Sequence, residues 1–241
     1  MPRQPRLVLP DVALHVVQRG HNRQACFRRE TDYLVYLTLL RDLCRKHGCA
    51  LHAYCLMTNH IHLLLTPCDE HACATLMRNL GQRYVQYFNR QYERSGTLWE
   101  GRFRSCLVDS ADYVLACYRY IELNPVRASM AACAAAYSWS SHCANAGSAE
   151  GELLSPHAEY LALSQDETSR QNAYRQLFDV GDDPAFLASI RTATNGGFPM
   201  IGENLKSQVA ATGRHLTRKR SGPSPAKSET GADLLAGDFG L

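Results

Sequence analysis

Apolar and polar positions along this chain recur at two periods, and the switches between them outline its elements. Val12-Ala-Leu-His-Val-Val17 reads as a first strand, closed by the polar turn Gln18-Arg19-Gly20-His21-Asn22. Tyr33, Tyr36, Leu37, Leu40, Leu43 and Cys44 then fall at helical spacing. They predict a helix capped by Thr31 or Asp32, running to about Lys46 and ended by Gly48. Residues 51–66 are rich in apolar side chains on both sides of Thr58-Asn59, which predicts two strands and a tight hairpin. A second helix spans roughly His71 to Tyr92, with Leu76, Leu80, Tyr84, Tyr87 and Phe88 on its inner side. Ser105-Cys-Leu-Val108 is a short strand, and Asp109 or Ser110 caps a third helix that Asn124-Pro125 stops. Strand, helix, strand, strand, helix, strand, helix is the order of the α+β, ferredoxin-like (split βαβ) plan, an antiparallel sheet with helices on one face.

From about residue 131 the chain becomes rich in Ala and Ser, and acidic. Helices are expected around 156–163, 168–178 and 183–192, a turn over Asn195–Gly202, and a last short helix from Glu203 to Thr212. Gly213 onward is basic through Arg214, Arg218, Lys219 and Arg220, and from Ser221 it has the composition of a disordered end. Met1 to Pro10 reads as an extended arm. The expected organisation is a domain over 1–130, a small helical extension over 131–212 and a tail over 213–241.

Charge sharpens this division. Residues 1–130 carry 17 Lys+Arg against 11 Asp+Glu, a net of +6. Residues 131–200 carry 3 against 8, a net of −5. A basic front domain points to a polyanionic partner. The ten cysteines form no C-x-x-C pair. With no signal-peptide pattern, they are expected as reduced thiols in a soluble, cytoplasmic and nucleoid-associated protein. Cys68, His71 and Cys73 match no standard zinc spacing. No apolar run approaches a membrane span.

The candidate chemistry centres on His60-Ile61-His62. On a strand, His60 and His62 share a face while Ile61 points into the core. Two adjacent neutral imidazoles make half of a metal site with open positions for water or substrate. On the third helix, Tyr120 and Asn124 lie four residues apart and project together. Val114, Tyr118 and Ile121 form a different stripe suited to the core, which leaves Tyr120 to face a cleft. A tyrosine beside a metal-held phosphate can act as a nucleophile. Tyr118 lies about 200° around the helix from Tyr120 and is the wrong phenol for that role.

Seven segments together resemble one family. They are His15-Val-Val-Gln-Arg-Gly20 with Phe27, Met57-Thr-Asn-His-Ile-His-Leu-Leu-Leu65, Tyr84-Val-Gln-Tyr-Phe-Asn89, Leu98-Trp-Glu-Gly-Arg-Phe-Arg-Ser105, Leu107-Val-Asp-Ser110, Arg119-Tyr-Ile-Glu-Leu-Asn-Pro-Val-Arg-Ala128 and Tyr137-Ser-Trp-Ser-Ser141. In this order they are similar to the HUH single-tyrosine transposases, most closely the REP-associated tyrosine transposases. Thr58 stands where that family usually has Pro.

The resemblance implies an HUH tyrosine transposase catalytic domain over 1–130 that acts on single-stranded DNA folded into hairpins. It implies a divalent ion, Mg²⁺ or Mn²⁺, held by His60, His62 and Asn124. Tyr120 is then the nucleophile, leaving a 5′-phosphotyrosine and a free 3′-OH. Arg19, Arg23, Arg102, Arg104 and Arg127 flank the site as candidate phosphate contacts, with Trp99 or Phe103 stacking on unpaired bases. A homodimer and a monomer fit equally. The alternatives are a hairpin-binding regulator that does not cut and a zinc hydrolase with no covalent step.

Overall fold

The computed structural model describes residues 6–149, 151–181, 183–213 and 216. Arg218, Lys219 and Arg220, with Arg214 and the tail expected to be disordered, lie outside the described residues, as do residues 1–5. The elements run β1 (Leu14–Arg19), α1 (Glu30–His47), β2 (Cys49–Met57), β3 (His60–Pro67), α2 (Ala72–Gln91), β4 (Arg104–Leu107) and α3 (Ala111–Glu122). A short turn of helix, α4 (Asn124–Arg127), follows at once. The extension adds α5 (His142–Asn145), α6 (Ala158–Leu161), α7 (Glu167–Gln176), α8 (Pro184–Gly196) and α9 (Glu203–Ala211).

The four strands pair in the order β2-β3-β1-β4. Every pairing is antiparallel, so this is the α+β, split βαβ arrangement the hydrophobic pattern predicts, except that helices cover both faces of the sheet and not one, because α3 packs opposite α1 and α2. Leu14, Val16, Ile61, Leu63 and Leu65 meet Tyr36, Leu40, Leu76, Leu80 and Tyr84 of the crossover helices α1 and α2 on one face. Ala53, Cys55, Met57, Leu64 and Cys106 meet Val114, Cys117 and Ile121 of α3 and the extension on the other. Thus β3 is buried on both sides, which is why its sequence is an unbroken Leu63-Leu64-Leu65 rather than an alternation.

Local differences from the sequence reading have local causes. α1 starts at Glu30, so Thr31 and Asp32 lie inside it. The Asp32 carboxylate reaches back to accept the Arg28 and Arg29 backbone N–H groups at 2.8 and 3.1 Å. Gly48 ends α1 in the left-handed conformation, as expected. α8 continues past residue 192 to Gly196, and Gly197 at φ 70° closes it. Beyond it, the backbone of Met200 accepts from Asp109 and donates to Leu107 outside β4. Trp139 and Ser141 do the same outside β2, with Leu56 and Tyr54. Both sheet edges are therefore covered by the extension.

Candidate active site

β3 carries His60 and His62 on the α3 face. Register sets their neighbours: Arg19 stands opposite His60, Val17 opposite His62 and His15 opposite Leu64. Residues opposite one another in an antiparallel pair share a face, so His15 lies diagonal to His62. Its ring stacks on that of His62 with centroids 5.2 Å apart, and the His60 and His62 rings are 5.0 Å apart. Burial, with Arg19 nearby, pushes His60 down to about 4, and burial pushes His15 down to about 3. Burial also holds His62 well below the usual imidazole range, helped by His60 and His15. All three rings are neutral at pH 7 and hold lone pairs rather than competing protons.

The hydrogen bonding of His60 suits a metal ligand. Asn59 donates its amide to the Arg23 carbonyl at 3.2 Å, which turns Asn59 Oδ1 toward His60 Nδ1 at 2.6 Å. That oxygen only accepts, so His60 Nδ1 carries the hydrogen and Nε2 the lone pair. Among the described residues no three His, Cys, Asp or Glu side chains group as a metal cage. The candidate donor set is therefore two imidazoles and an amide.

The helix α3 brings the phenol. Tyr120 is 6% exposed, and its ring centroid lies 5.7 Å from that of His62 and 5.5 Å from that of His15, edge-on to both. Tyr118 packs instead on Tyr160 and Tyr174 of the extension, as helical geometry requires. Burial raises the Tyr120 phenol, while the hydrogen bond and charge of Arg191, then Arg127, oppose that rise. The Arg127 guanidinium sits 4.9 Å from the Tyr120 ring and donates to the Tyr120 carbonyl. Asn124 donates its amide to the carbonyls of Tyr120 and Ile121 at 2.8 and 3.3 Å, which turns its Oδ1 away from the helix end. A cleft of about 220 Å³, lined by Tyr113, Arg119, Tyr120 and Phe186 among others, opens between α3 and α8 onto the phenol.

The candidate DNA contacts separate into two groups. Arg19, Arg102 and Arg104 line one groove with Glu100 and Asn195, and Arg104 donates to Asn195 Oδ1 at 2.6 Å. Arg23 is exposed in the turn that touches Asn59. Trp99 and Phe103, expected as exposed rings for stacking, are instead buried. Trp99 is 6% exposed and packs among Tyr36 and Tyr84, while the Arg6 guanidinium covers the Phe103 ring at 3.6 Å. Both rings belong to the core on the α1–α2 side.

Four residues at the site escaped the sequence pattern. His15 was visible as a histidine inside an apolar strand, but nothing in the order of residues pairs it with His62. Glu122, at the end of α3, is fully buried and accepts from Ser141, Asn145, Tyr174 and His142 of the extension. Arg191 and Thr194 sit on α8, where no motif marks them.

The split βαβ sheet thus sets the paired imidazoles of β3 before the phenol of α3. The family model described as "Transposase IS200 like" matches residues 9–124, a little under half of the chain, and over this segment the chain is similar to that family. Among solved structures, it is similar to a REP-associated tyrosine transposase bound to a REP hairpin. The identity is 16% over 58% of this chain and 82% of that one, with a TM-score of 0.49. It is also similar to a putative transposase from Deinococcus radiodurans, at 18% identity over 47% of this chain and 91% of that one, with a TM-score of 0.36. A comparison with curated proteins finds no match. No helix among the described residues is long and apolar enough to cross a membrane.

Proposed function

We propose that this protein is a metal-dependent single-strand DNA endonuclease and strand transferase acting on hairpin or palindromic repeat DNA. The observation that carries the reading is the edge-on approach of the Tyr120 ring to His62, with centroids 5.7 Å apart. Residues 58 positions apart in sequence meet there.

In this reading Tyr120 Oη attacks phosphorus, a Tyr–O–P bond forms and the bond from phosphorus to the 3′ oxygen breaks. The phenol gives up its proton, and the departing oxygen takes one up as a free 3′-OH. The phosphate stays on the 5′ side as a phosphotyrosine, so religation needs no nucleotide cofactor. The charges of Arg191 and Arg127 favour the negative charge that develops on the phenol. Nε2 of His60, His62 and Oδ1 of Asn124 would hold Mg²⁺ or Mn²⁺, which when bound polarises a phosphate oxygen. Arg19, Arg102 and Arg104 offer the groove that tracks the backbone of an unpaired strand.

The test is a denaturing gel after incubation with hairpin DNA and Mn²⁺. The wild-type protein is expected to leave a covalent protein–DNA adduct that disappears in Tyr120→Phe. Cleavage that persists in Tyr120→Phe would point to a hydrolase with no covalent step. Binding without cleavage in either protein would leave a hairpin-recognising regulator.

A further inference from the structure

His60 has its tautomer set by Asn59, but His62 has no such acceptor. Its Nδ1 shares a hydrogen with His15 Nε2 at 2.9 Å, and His15 Nδ1 lies 2.8 Å from Thr194 Oγ1. The three groups form a chain across a dry interior: His15 is 1% exposed, His62 4% and Thr194 4%. Such a chain has two polarities. In one, each imidazole donates from Nδ1: His62 to His15, and His15 to Thr194. His62 Nε2 then carries the lone pair. In the other, Thr194 donates to His15 Nδ1, His15 donates from Nε2 to His62 Nδ1, and His62 Nε2 carries the hydrogen and is closed to a metal.

We propose that Thr194, acting through His15, is a positioning residue that fixes His62 in the tautomer able to ligate a metal, so that α8 of the extension completes the active site. This rests on the reading of His62 as a metal ligand. The argument is one of acceptors. A buried His15 Nδ1–H needs an oxygen, and Thr194 Oγ1 is the one within reach, able to accept there while its own hydrogen goes to Cys106 Sγ at 3.2 Å. Without it, a stranded N–H costs more than a bare ring nitrogen, and the chain reverses to the closed polarity. Two further features tie the same helix to the site. Asn195 accepts from Arg104 of β4, and the charge of Arg191 opposes the rise of the Tyr120 phenol. All three residues lie beyond residue 124, where the family match ends.

The test uses the full chain, with ¹⁵N-labelled histidine read by long-range ¹H–¹⁵N NMR without metal, and Mn²⁺ affinity read by titration calorimetry. Wild-type protein is expected to show His62 with its hydrogen on Nδ1. Thr194→Val, nearly the same shape, should move it to Nε2 and weaken Mn²⁺ about 10- to 100-fold, the usual scale for losing an outer partner of a ligating histidine. Thr194→Ser, which keeps the oxygen, should restore both. An unchanged His62 tautomer and unchanged Mn²⁺ affinity in Thr194→Val would overturn the relay while leaving the metal reading intact. Wild-type protein that binds no Mn²⁺, with His60→Ala making no difference, would overturn the metal reading itself.

Discussion

Glu122 offers the sharpest test of how α3, and with it Tyr120, is held in place. Its carboxylate is 0% exposed. Oε1 accepts from Ser141 Oγ at 2.6 Å and Asn145 Nδ2 at 2.8 Å, and Oε2 accepts from Tyr174 Oη at 2.7 Å and His142 Nδ1 at 3.1 Å. On Glu122→Ala, Ser141 and Asn145 have fallback acceptors in the carbonyls of Tyr54 and His52. Tyr174 and His142 have none among the hydrogen bonds of the described residues. Two stranded donors at about 1–3 kcal/mol each, with the small cavity, give a loss of about 4 kcal/mol. Glu122→Gln keeps the volume and one accepting oxygen, and the Tyr174 hydroxyl can turn to accept from the new amide, so it should lose only about 1–2 kcal/mol. Urea unfolding followed by circular dichroism measures both. For a chain of this size, the alanine variant should also melt roughly 8–16 °C lower. A loss under about 1 kcal/mol for Glu122→Ala, or equal losses for the two variants, would refute the claim that this carboxylate anchors α3 to the extension.

Further outcomes follow from the same structure. Stability should fall on acidification below pH 6.5. Burial depresses His15 to about 3, and His52 and His60 to about 4, so the unfolded chain takes up protons before the folded one. Their contribution is complete above pH 6.5 and is lost as pH falls toward 4, at roughly 3 kcal/mol for His52 alone. A flat stability profile from pH 7 to 4.5 in the metal-free protein would contradict this. Gly48→Ala should destabilise by about 1 kcal/mol from left-handed strain alone. It should lose more because the added Cβ meets Cys68 Sγ at 2.4 Å, and most of the extra part should be recovered in a Cys68→Ala background, which leaves only the Cys68 Cβ at 3.2 Å. Replacing Arg19, Arg102 and Arg104 together by Ala should reduce the salt dependence of single-strand binding by a slope of about 2. An unchanged slope, measured by fluorescence anisotropy across salt, would remove that groove from the DNA path.

Much of the core domain was legible because its signals are local. Period-2 and period-3.6 patterns outlined every strand and the three long helices, and the turn at Thr58-Asn59 set the hairpin that puts His60 and His62 on one face. Helical spacing alone separated Tyr120 from Tyr118. The aromatic contacts misled, because Trp99 and Phe103 sit among polar and glycine residues that read as an exposed loop. Their burial comes from α1, α2 and Arg6, which are distant in sequence.

What the order of residues determined by itself was which side chains share a face, since backbone periodicity dictates that whatever lies opposite. Only the tertiary structure decided which faces meet. His15 reaches His62 through strand register, Glu122 finds four donors across 19 to 52 residues, and Arg191 and Thr194 arrive from a helix with no motif. Burial then made those meetings consequential. In a dry interior every N–H needs a named acceptor, and a neutral imidazole must choose which nitrogen carries its hydrogen.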